Sequence, residues 1–226
     1  MLPHLETFLS HIDDWLGKNP LEKQTIEKDY LVDLLIRMSD GYYYLGNPRR
    51  QKESLERVLP IFRKHYGSDH FIVAMALTNL GIACGDLGDH KKKKTLLERA
   101  LPISEKHYGP DHFEVAAILT NLSSSYGTLG NHDKQKELLE RTLTIKEKHY
   151  GPDHFEVART LANLGNSYRA LGTPQKAKEL LERALPVLKK HYSPDHPEVA
   201  IPLANLGIAY GASGNHEKKR SCLCGL

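Results

Sequence analysis

The chain has 226 residues, of which 26% are charged, and its formal net charge at pH 7 is only +3. So small an excess of positive charge argues against a nucleic-acid-binding protein, which needs a clustered basic face. The N-terminus has no basic segment followed by an apolar run, and no apolar run approaches the ~20 residues of a membrane span, so the sequence predicts a cytoplasmic protein that does not contact a membrane.

Residues 1–19 are predicted to form a separate amphipathic helix. Its apolar residues recur at the i, i+3, i+4, i+7 spacing that places them on one helical face. They are Leu5, Phe8, Leu9, Ile12, Trp15 and Leu16. Pro20 ends the helix because proline disfavours helical backbone in the residue before it. The helix has two interpretations: a cap that covers the first repeat, or a surface that binds a partner or a second copy.

The remainder of the chain follows a 42-residue period. The sequence Tyr-Gly-Pro-Asp-His begins at Tyr108 and again at Tyr150, and altered copies begin at Tyr66 and Tyr192. A fixed period of this length indicates an array of structural repeats. The array divides into a divergent first repeat at 20–65, repeats at 66–107, 108–149 and 150–191, and a last repeat, cut short, at 192–226.

Each repeat is predicted to contain two helices. Asp111 is expected to cap the first helix, with Glu114 completing a capping box. Asp153 and Asp195 are expected to do the same in the next two repeats. The first helix should end at Gly130, because glycine adopts the left-handed C-terminal conformation. The second helix is expected to be capped by the equivalent residues Asn47, Asp89, Asn131, Thr173 and Asn215.

These sequences resemble the tetratricopeptide repeat (TPR), whose pattern of Leu-Gly, Tyr, Gly and Ala matches Leu164, Gly165, Tyr168, Gly172 and Ala184. The Gly-Pro-Asp-His loop, the Asn-Leu-Gly sequence and the 42-residue length are similar to kinesin-light-chain repeats. The resemblance covers about residues 24–226. It implies an all-α fold: a right-handed superhelical solenoid of antiparallel helix pairs, with the first helix of each pair on the concave face.

The resemblance also implies a peptide-binding groove. In kinesin light chains, an asparagine before the leucine contacts extended peptides, and its matches here are Asn79, Asn121, Asn163 and Asn205. Helical spacing adds Met75, Ile82, Arg159 and Asn166 to the same face. An asparagine amide both donates and accepts hydrogen bonds, so it can bind an extended backbone. Alternatively, these asparagines bond a helix carbonyl or a neighbouring repeat and serve only the packing.

No sequence indicates catalysis or a cofactor. The chain lacks a glycine-rich phosphate loop, an H-E-x-x-H metal sequence and a nucleophile elbow. Histidines flank each loop, as His107 and His112 do, but copying of the repeat explains their spacing, so we expect no metal site. The three cysteines make no disulfide framework. We therefore expect no enzymatic activity and no cofactor.

The sequence favours a protein-interaction scaffold that binds an extended peptide or partner segment in the concave groove. The alternative is a structural or self-associating module, or a fragment of a larger multidomain signalling protein. Self-association would use the N-terminal helix or the shortened C-terminal repeat, because an exposed apolar face is a common contact surface.

Overall fold

The computed structural model describes residue 7 and residues 37–223, so the predicted N-terminal helix at 1–19 lies, apart from residue 7, outside the described part. Residues 37–44 are the end of a helix. The helices that follow within the described residues are α1 Pro48–Tyr66, α2 Phe71–Asp86, α3 His90–Tyr108, α4 Phe113–Thr128, α5 His132–Tyr150, α6 Phe155–Ala170, α7 Pro174–His191, α8 Pro197–Ala212 and α9 His216–Leu223. Every regular element in residues 37–223 is an α-helix, which confirms the predicted all-α class.

The chain forms two compact units, Met1–His107 and Tyr108–Leu226. In the second unit, each helix from α4 to α9 packs against the next one in sequence, and α6 also contacts α8. Short loops between packed helices make neighbours antiparallel. We call α2, α4, α6 and α8 the first-type helices, and α1, α3, α5, α7 and α9 the second-type helices.

A hydrophobic core fills the space between α6, α7 and α8. The buried side chains are Val157, Ala158, Leu161, Ala162, Leu181, Ala184, Leu185, Leu188, Val199, Leu203, Leu206 and Tyr210. In each helix these residues recur three or four positions apart, so one face is apolar and turns inward. The hydroxyl of Tyr210 lies at the edge of this core and donates a hydrogen bond to Glu182. The remaining faces of the first-type helices are therefore free to carry polar residues.

The first-type helices are capped by histidine and not by aspartate, so that prediction is wrong. In the repeat at 150–191, Gly151, Pro152, Asp153 and His154 form a turn in which His154 N–H donates to Gly151 O at 3.4 Å. Proline is favoured at the second position of such a turn, and the turn therefore places aspartate before the cap. The helix begins one residue later than predicted, at Phe155.

The imidazole supplies the missing cap. Nδ1 of each histidine accepts a hydrogen bond from the backbone N–H two residues on, at 3.2–3.3 Å. Nδ1 is bonded to Cγ, as the side-chain oxygen of asparagine is, so it reaches the same backbone donors. We call His70, His112, His154 and His196 the cap histidines.

The second-type helices begin largely as predicted. The side chains of Asn47, Asp89, Asn131 and Asn215 each accept a hydrogen bond from the backbone N–H three residues on, at 2.9–3.2 Å. Thr173 occupies the cap position of α7 without that bond. Its hydroxyl instead donates to Tyr168 O at 2.8 Å, which leaves the first turn of α7 without a side-chain cap.

Aromatic rings stack on both sides of the cap histidines that precede a phenylalanine, whereas His196 precedes Pro197 and stacks on Tyr192 at 4.3 Å. His154 lies between Tyr150, at the end of α5, and Phe155, at the start of α6, with ring-centroid distances of 4.5 and 4.7 Å. Phe155 in turn lies 5.3 Å from His191 of α7. Three helix ends therefore meet at one column of rings, at separations typical of favourable aromatic contacts.

The same contacts recur around the other loops. In the second unit the column also includes Tyr108, His112, Phe113 and His149, and it continues through His149 to Tyr150 at 4.4 Å. In the first unit, Tyr66, His70, Phe71 and His107 also form a column. This stacking gives the repeated Tyr, His and Phe of the loops a structural role.

Close packing of α6 on α7 requires glycine at position 165. A methyl group there would lie 2.9 Å from Cγ of the fully buried Leu181 and 3.3 Å from Ala177 O. We expect Gly165→Ala to lower the free energy of unfolding by up to about 2 kcal/mol, since overpacking costs ~1–3 kcal/mol and alanine's better helix propensity returns about 1. Chemical denaturation measures the change.

Gly211→Ala in α8 is the matched control. The added methyl group would meet only Lys219 side-chain atoms, at 3.0 Å or more, and these can move into solvent. We expect this variant to be at least as stable as the parent chain. Equal destabilisation by the two substitutions would contradict the close contact assigned to Gly165.

Candidate binding surface

A cleft of about 430 Å³ lies between α4 and α6. The first turn of α5 forms its floor, through His132 and Gln135. Its walls are Thr120, Ser123, Ser124, Gly127 and Thr128 from α4, and Asn163, Asn166, Arg169 and Ala170 from α6. The lining is mostly polar and contains no aspartate or glutamate.

The α4 wall of this cleft offers hydrogen-bond acceptors. Thr120 donates its hydroxyl proton to Ala116 O at 2.8 Å, and Ser123 donates to Thr120 O at 2.7 Å. Thr128 donates to Ser124 O at 3.1 Å. A hydroxyl has a single proton, so these oxygens face the cleft with lone pairs only.

The α6 wall offers donors. Asn166 Oδ1 accepts hydrogen bonds from Arg169 Nε at 3.3 Å and from Nη2 at 2.9 Å. This arrangement holds the guanidinium in place and leaves the Asn166 amide N–H groups available. Arg169 forms no ion pair with any residue that the structure describes. Its guanidinium can therefore donate hydrogen bonds to an anionic or strongly polar acceptor on a ligand.

A second cleft, of about 160 Å³, lies between α6 and α8. Asn163 and Asn166 line it as well, so they form the wall that the two clefts share. The far side combines Ile201 and two prolines with the polar residues Glu198 and Asn205. Ile201 is 59% exposed and Ile208, two turns further along α8, is 51% exposed. The surface thus changes from polar to apolar between α4 and α8.

The predicted residues of the first unit lie on α2. Met75 and Asn79 line a small cavity of about 10 Å³ between α1, α2 and the helical segment 37–44. Ile82 is half-buried on the same helix and does not line that cavity. This cavity is too small for a side chain, and Met75 is also partly exposed on the outside of α2.

Asn121 hydrogen-bonds within its own helix, which is the kind of contact that the sequence left as an alternative to ligand binding. Its Nδ2 donates to Ala117 O, one turn back in α4, at 3.2 Å. It lines neither the larger nor the smaller cleft of the second unit. Among the four equivalent asparagines, Asn163 and Asn205 line clefts of useful size, and Asn121 faces its own helix.

Arg159 lies in an ion-pair network. Its Nη1 contacts Glu156 at 2.8 Å and its Nε contacts Glu198 at 3.3 Å, which links α6 to α8. Glu156 also contacts Lys146 of α5 at 2.7 Å. Two cations and two anions balance here, so Arg159 stabilises the packing of three helices and its charge is already compensated.

The network changes the acidity of Glu156. Burial raises the pKa of its carboxyl, but the hydrogen bond and charge of Lys146, together with Arg159, outweigh burial and leave the pKa below its ordinary value of 4.5. The carboxylate is therefore the form that the folded state prefers.

Sequence reasoning missed Arg169, His132 and Gln135 in the larger cleft. Arg169 follows the predicted Asn166 by three residues, so helical spacing alone could have placed it on the same face. His132 and Gln135 lie on a second-type helix, which was expected to contribute to the outer face only. Their positions follow from the way the start of α5 closes the floor between α4 and α6.

The described residues can also be considered for a metal site or a membrane-spanning helix. In the described residues, no group of three or more histidine, cysteine, aspartate or glutamate side chains is placed to hold a metal ion. None of the helices described is both long enough and apolar enough to cross a membrane. The clefts on the first-type helices are therefore the candidate binding surface.

Comparison with protein families and sequences gives the following matches. Profiles described as tetratricopeptide repeat match residues 94–148, 136–190 and 156–218, and a further profile of the same description matches residues 73–114. The first set spans more than half of the chain. A search of curated protein sequences found no significant match.

Solved structures with the same fold come from several organisms. A protein of Podospora anserina described as a kinesin light chain with nearly identical TPR-like repeats is 25% identical, with a TM-score of 0.71 over 86% of this chain and 92% of that one. BtubC (BKLC) from P. vanneervenii is 19% identical, with a TM-score of 0.76 over 99% and 87%. MamA from Desulfovibrio magneticus is 18% identical, with a TM-score of 0.63 over 85% and 91%.

Replacing Glu156 with glutamine tests the ion-pair network. The change leaves Lys146, whose side chain is 9% exposed, without its carboxylate. We expect Glu156→Gln to lower the free energy of unfolding at neutral pH by about 1–3 kcal/mol, somewhat less than a fully buried pair because Glu156 is partly exposed. Urea denaturation followed by circular dichroism measures the change.

The difference between parent and variant should depend on pH. Because the folded-state pKa of Glu156 is lowered, the stabilisation is complete above the unfolded pKa of about 4.5 and is lost as pH falls through the folded value. The two unfolding curves should therefore converge below about pH 4. A constant difference down to that pH would show that the ionised carboxylate is not what stabilises the network.

Proposed function

Because the chain belongs to the tetratricopeptide repeat family, whose members generally serve as protein-interaction scaffolds, we propose that it holds an extended peptide segment of a partner protein. The segment would lie along the first-type helices of the second unit, α4, α6 and α8. The observation that carries this proposal is the pair of neighbouring clefts that share Asn163 and Asn166 as a common wall.

The two clefts fit successive parts of one segment. A peptide backbone presents both N–H donors and C=O acceptors, which the hydroxyl oxygens of α4 and the amide groups of α6 can satisfy. An acceptor group on the segment would lie against Arg169, and an aliphatic side chain would lie in the smaller cleft beside Ile201. The preferred segment therefore carries an acceptor-bearing residue and an aliphatic residue close together.

The surface is partly organised before a ligand arrives. Asn166 already holds the guanidinium of Arg169 through two hydrogen bonds, so less side-chain freedom is lost on binding. Arg159 is held by Glu156 and Glu198, which stabilises the helices behind the smaller cleft. Asn163 is exposed and remains able to contact a ligand.

Selection from a random linear peptide library on the parent chain tests the proposal. We expect the double substitution Asn163→Ala with Arg169→Gln to weaken binding of a selected peptide about tenfold or more, since each lost contact to a polar or charged group is worth ~1 kcal/mol or more. Fluorescence anisotropy measures Kd, and the thermal midpoint should stay within a few degrees of that of the parent chain.

The matched control is Gln175→Ala with Lys190→Gln on α7. It makes the same kinds of substitution at exposed positions outside both clefts. We expect this control to bind the selected peptide as tightly as the parent chain does. Equal binding by the groove variant, or failure to select any peptide on the parent chain, contradicts the proposal.

Self-association is the second candidate, because Ile201 and Ile208 form an exposed aliphatic strip on α8. If the strip joins two copies, the parent should be a dimer by light scattering and Ile208→Asp should be a monomer. An exposed substitution of this kind changes stability by only about 0.5 kcal/mol, so the variant should remain folded. A parent chain that stays monomeric at high concentration removes this candidate and leaves the peptide groove.

A further inference from the structure

The cap histidines are held in one protonation and tautomeric state by their hydrogen bonds. The partner of each Nδ1 is a backbone N–H, which can only donate, so Nδ1 must be the acceptor. A neutral imidazole then carries its proton on Nε2. The geometry therefore specifies a neutral ring with the Nε2–H tautomer at His70, His112, His154 and His196.

Protonation of the ring removes its ability to cap the helix. An imidazolium has a hydrogen on each ring nitrogen and no remaining acceptor, so the cap bond is lost. The ring also lies at the N-terminus of a helix, where the helix dipole disfavours a positive charge. Loss of the cap bond and the unfavourable interaction with the dipole both weaken the start of the helix when the ring is charged.

Nearby carboxylates could favour the charged form, but several already have cationic partners. An aspartate precedes each cap histidine, and Asp111 lies 3.5 Å from Lys148 of α5. Glu156, two residues after His154, is held by Lys146 and Arg159. Glu198, two residues after His196, is contacted by Arg159 of α6. Asp69, Asp153 and Asp195 are exposed, so solvent screens their attraction.

The ring column connects the cap histidines to further histidines on the second-type helices. Phe113 separates His112 from His149 of α5, with centroid distances of 4.5 and 5.1 Å. Phe155 separates His154 from His191 of α7 in the same way. A protonated cap histidine is therefore separated from the next imidazole by a single phenylalanine ring. The two positive charges repel each other when both imidazoles are protonated.

We propose that the four cap histidines form an acid-sensitive latch, which holds the first turn of each first-type helix at neutral pH and releases it when the imidazoles are protonated. Each ring that is protonated loses its cap hydrogen bond, so stability is expected to fall as the imidazoles become charged. Imidazoles change charge between about pH 5 and 8, which sets the range of the effect. Because the latch holds the helices that carry the clefts, it couples that surface to pH.

Thermal unfolding of the full chain between about pH 8 and pH 5 tests the latch. The variant His112→Asn with His154→Asn keeps a side-chain acceptor at both caps but cannot titrate there. Each lost cap should lower the unfolding midpoint by about 2–4 °C, so the variant's fall across this range should be about 4–8 °C smaller than that of the parent. Parallel pH profiles for parent and variant would overturn the proposal.

The control is His90→Asn with His216→Asn, which removes two histidines that begin α3 and α9 and lie outside the ring columns. We expect its pH profile to flatten much less than that of the cap variant, because these two rings share the effect of the helix dipole while Asp89 and Asn215 supply the caps. A flattening equal to that of the cap variant would mean that loss of any two histidines is sufficient, which would overturn the specific role of the caps.

Nuclear magnetic resonance of the parent chain gives a readout that does not depend on how the variants fold. At pH 8, ¹⁵N-labelled histidine should show the Nε2–H tautomer for the cap histidines. The backbone N–H signals of Glu114 and Glu156 should then shift on acidification together with the rings that they contact. A predominant Nδ1–H tautomer, or amide signals that do not follow the imidazoles, would show that these rings do not cap the helices.

Discussion

The bond between each cap histidine and the helix that follows it sets the register of the repeat. One imidazole accepts a backbone N–H through Nδ1 and stacks between a tyrosine and a phenylalanine. The same ring therefore determines where a first-type helix begins and how it meets the ends of two second-type helices. The same histidine makes both the cap bond and the ring contacts. A change at this residue would therefore alter the loop, the start of the helix and the spacing between helix pairs together.

The binding surface depends on this register. With their starts held by equivalent caps, α6 and α8 contact each other, and α4 lies across a cleft from α6. Their apolar faces are used by the core, so the outward faces vary freely from repeat to repeat. That variation produces hydroxyl acceptors on α4, an arginine and two asparagines on α6, and isoleucines on α8. A repeated scaffold thus carries a surface that is not repeated.

The site was predictable where helical spacing was sufficient and was not predictable where side chains compete for partners. Asn163, Asn166 and Asn205 line clefts, as the face assignment implied. Asn121 occupies the equivalent position but donates to Ala117 O in its own helix. Arg159 shares that face, yet two glutamates, one of them on α8, compensate its charge. A pattern places a residue on a face, whereas neighbours from other helices decide what its polar atoms contact.

The sequence by itself determined the repeat length, the all-α class and the Asn and Asp caps of most second-type helices, because these follow from period, turn residues and local backbone donors. Only the tertiary structure decided that histidine caps the first-type helices, since the Gly-Pro-Asp-His turn and the neighbouring rings act together. It likewise decided that Arg159 is paired, whereas Arg169 has no ion-pair partner among the residues that the structure describes. The cap bond of His154 is local, but the pairing of Arg159 with Glu198 and the contact of Phe155 with His191 join residues that are distant in sequence, and no local pattern records these contacts.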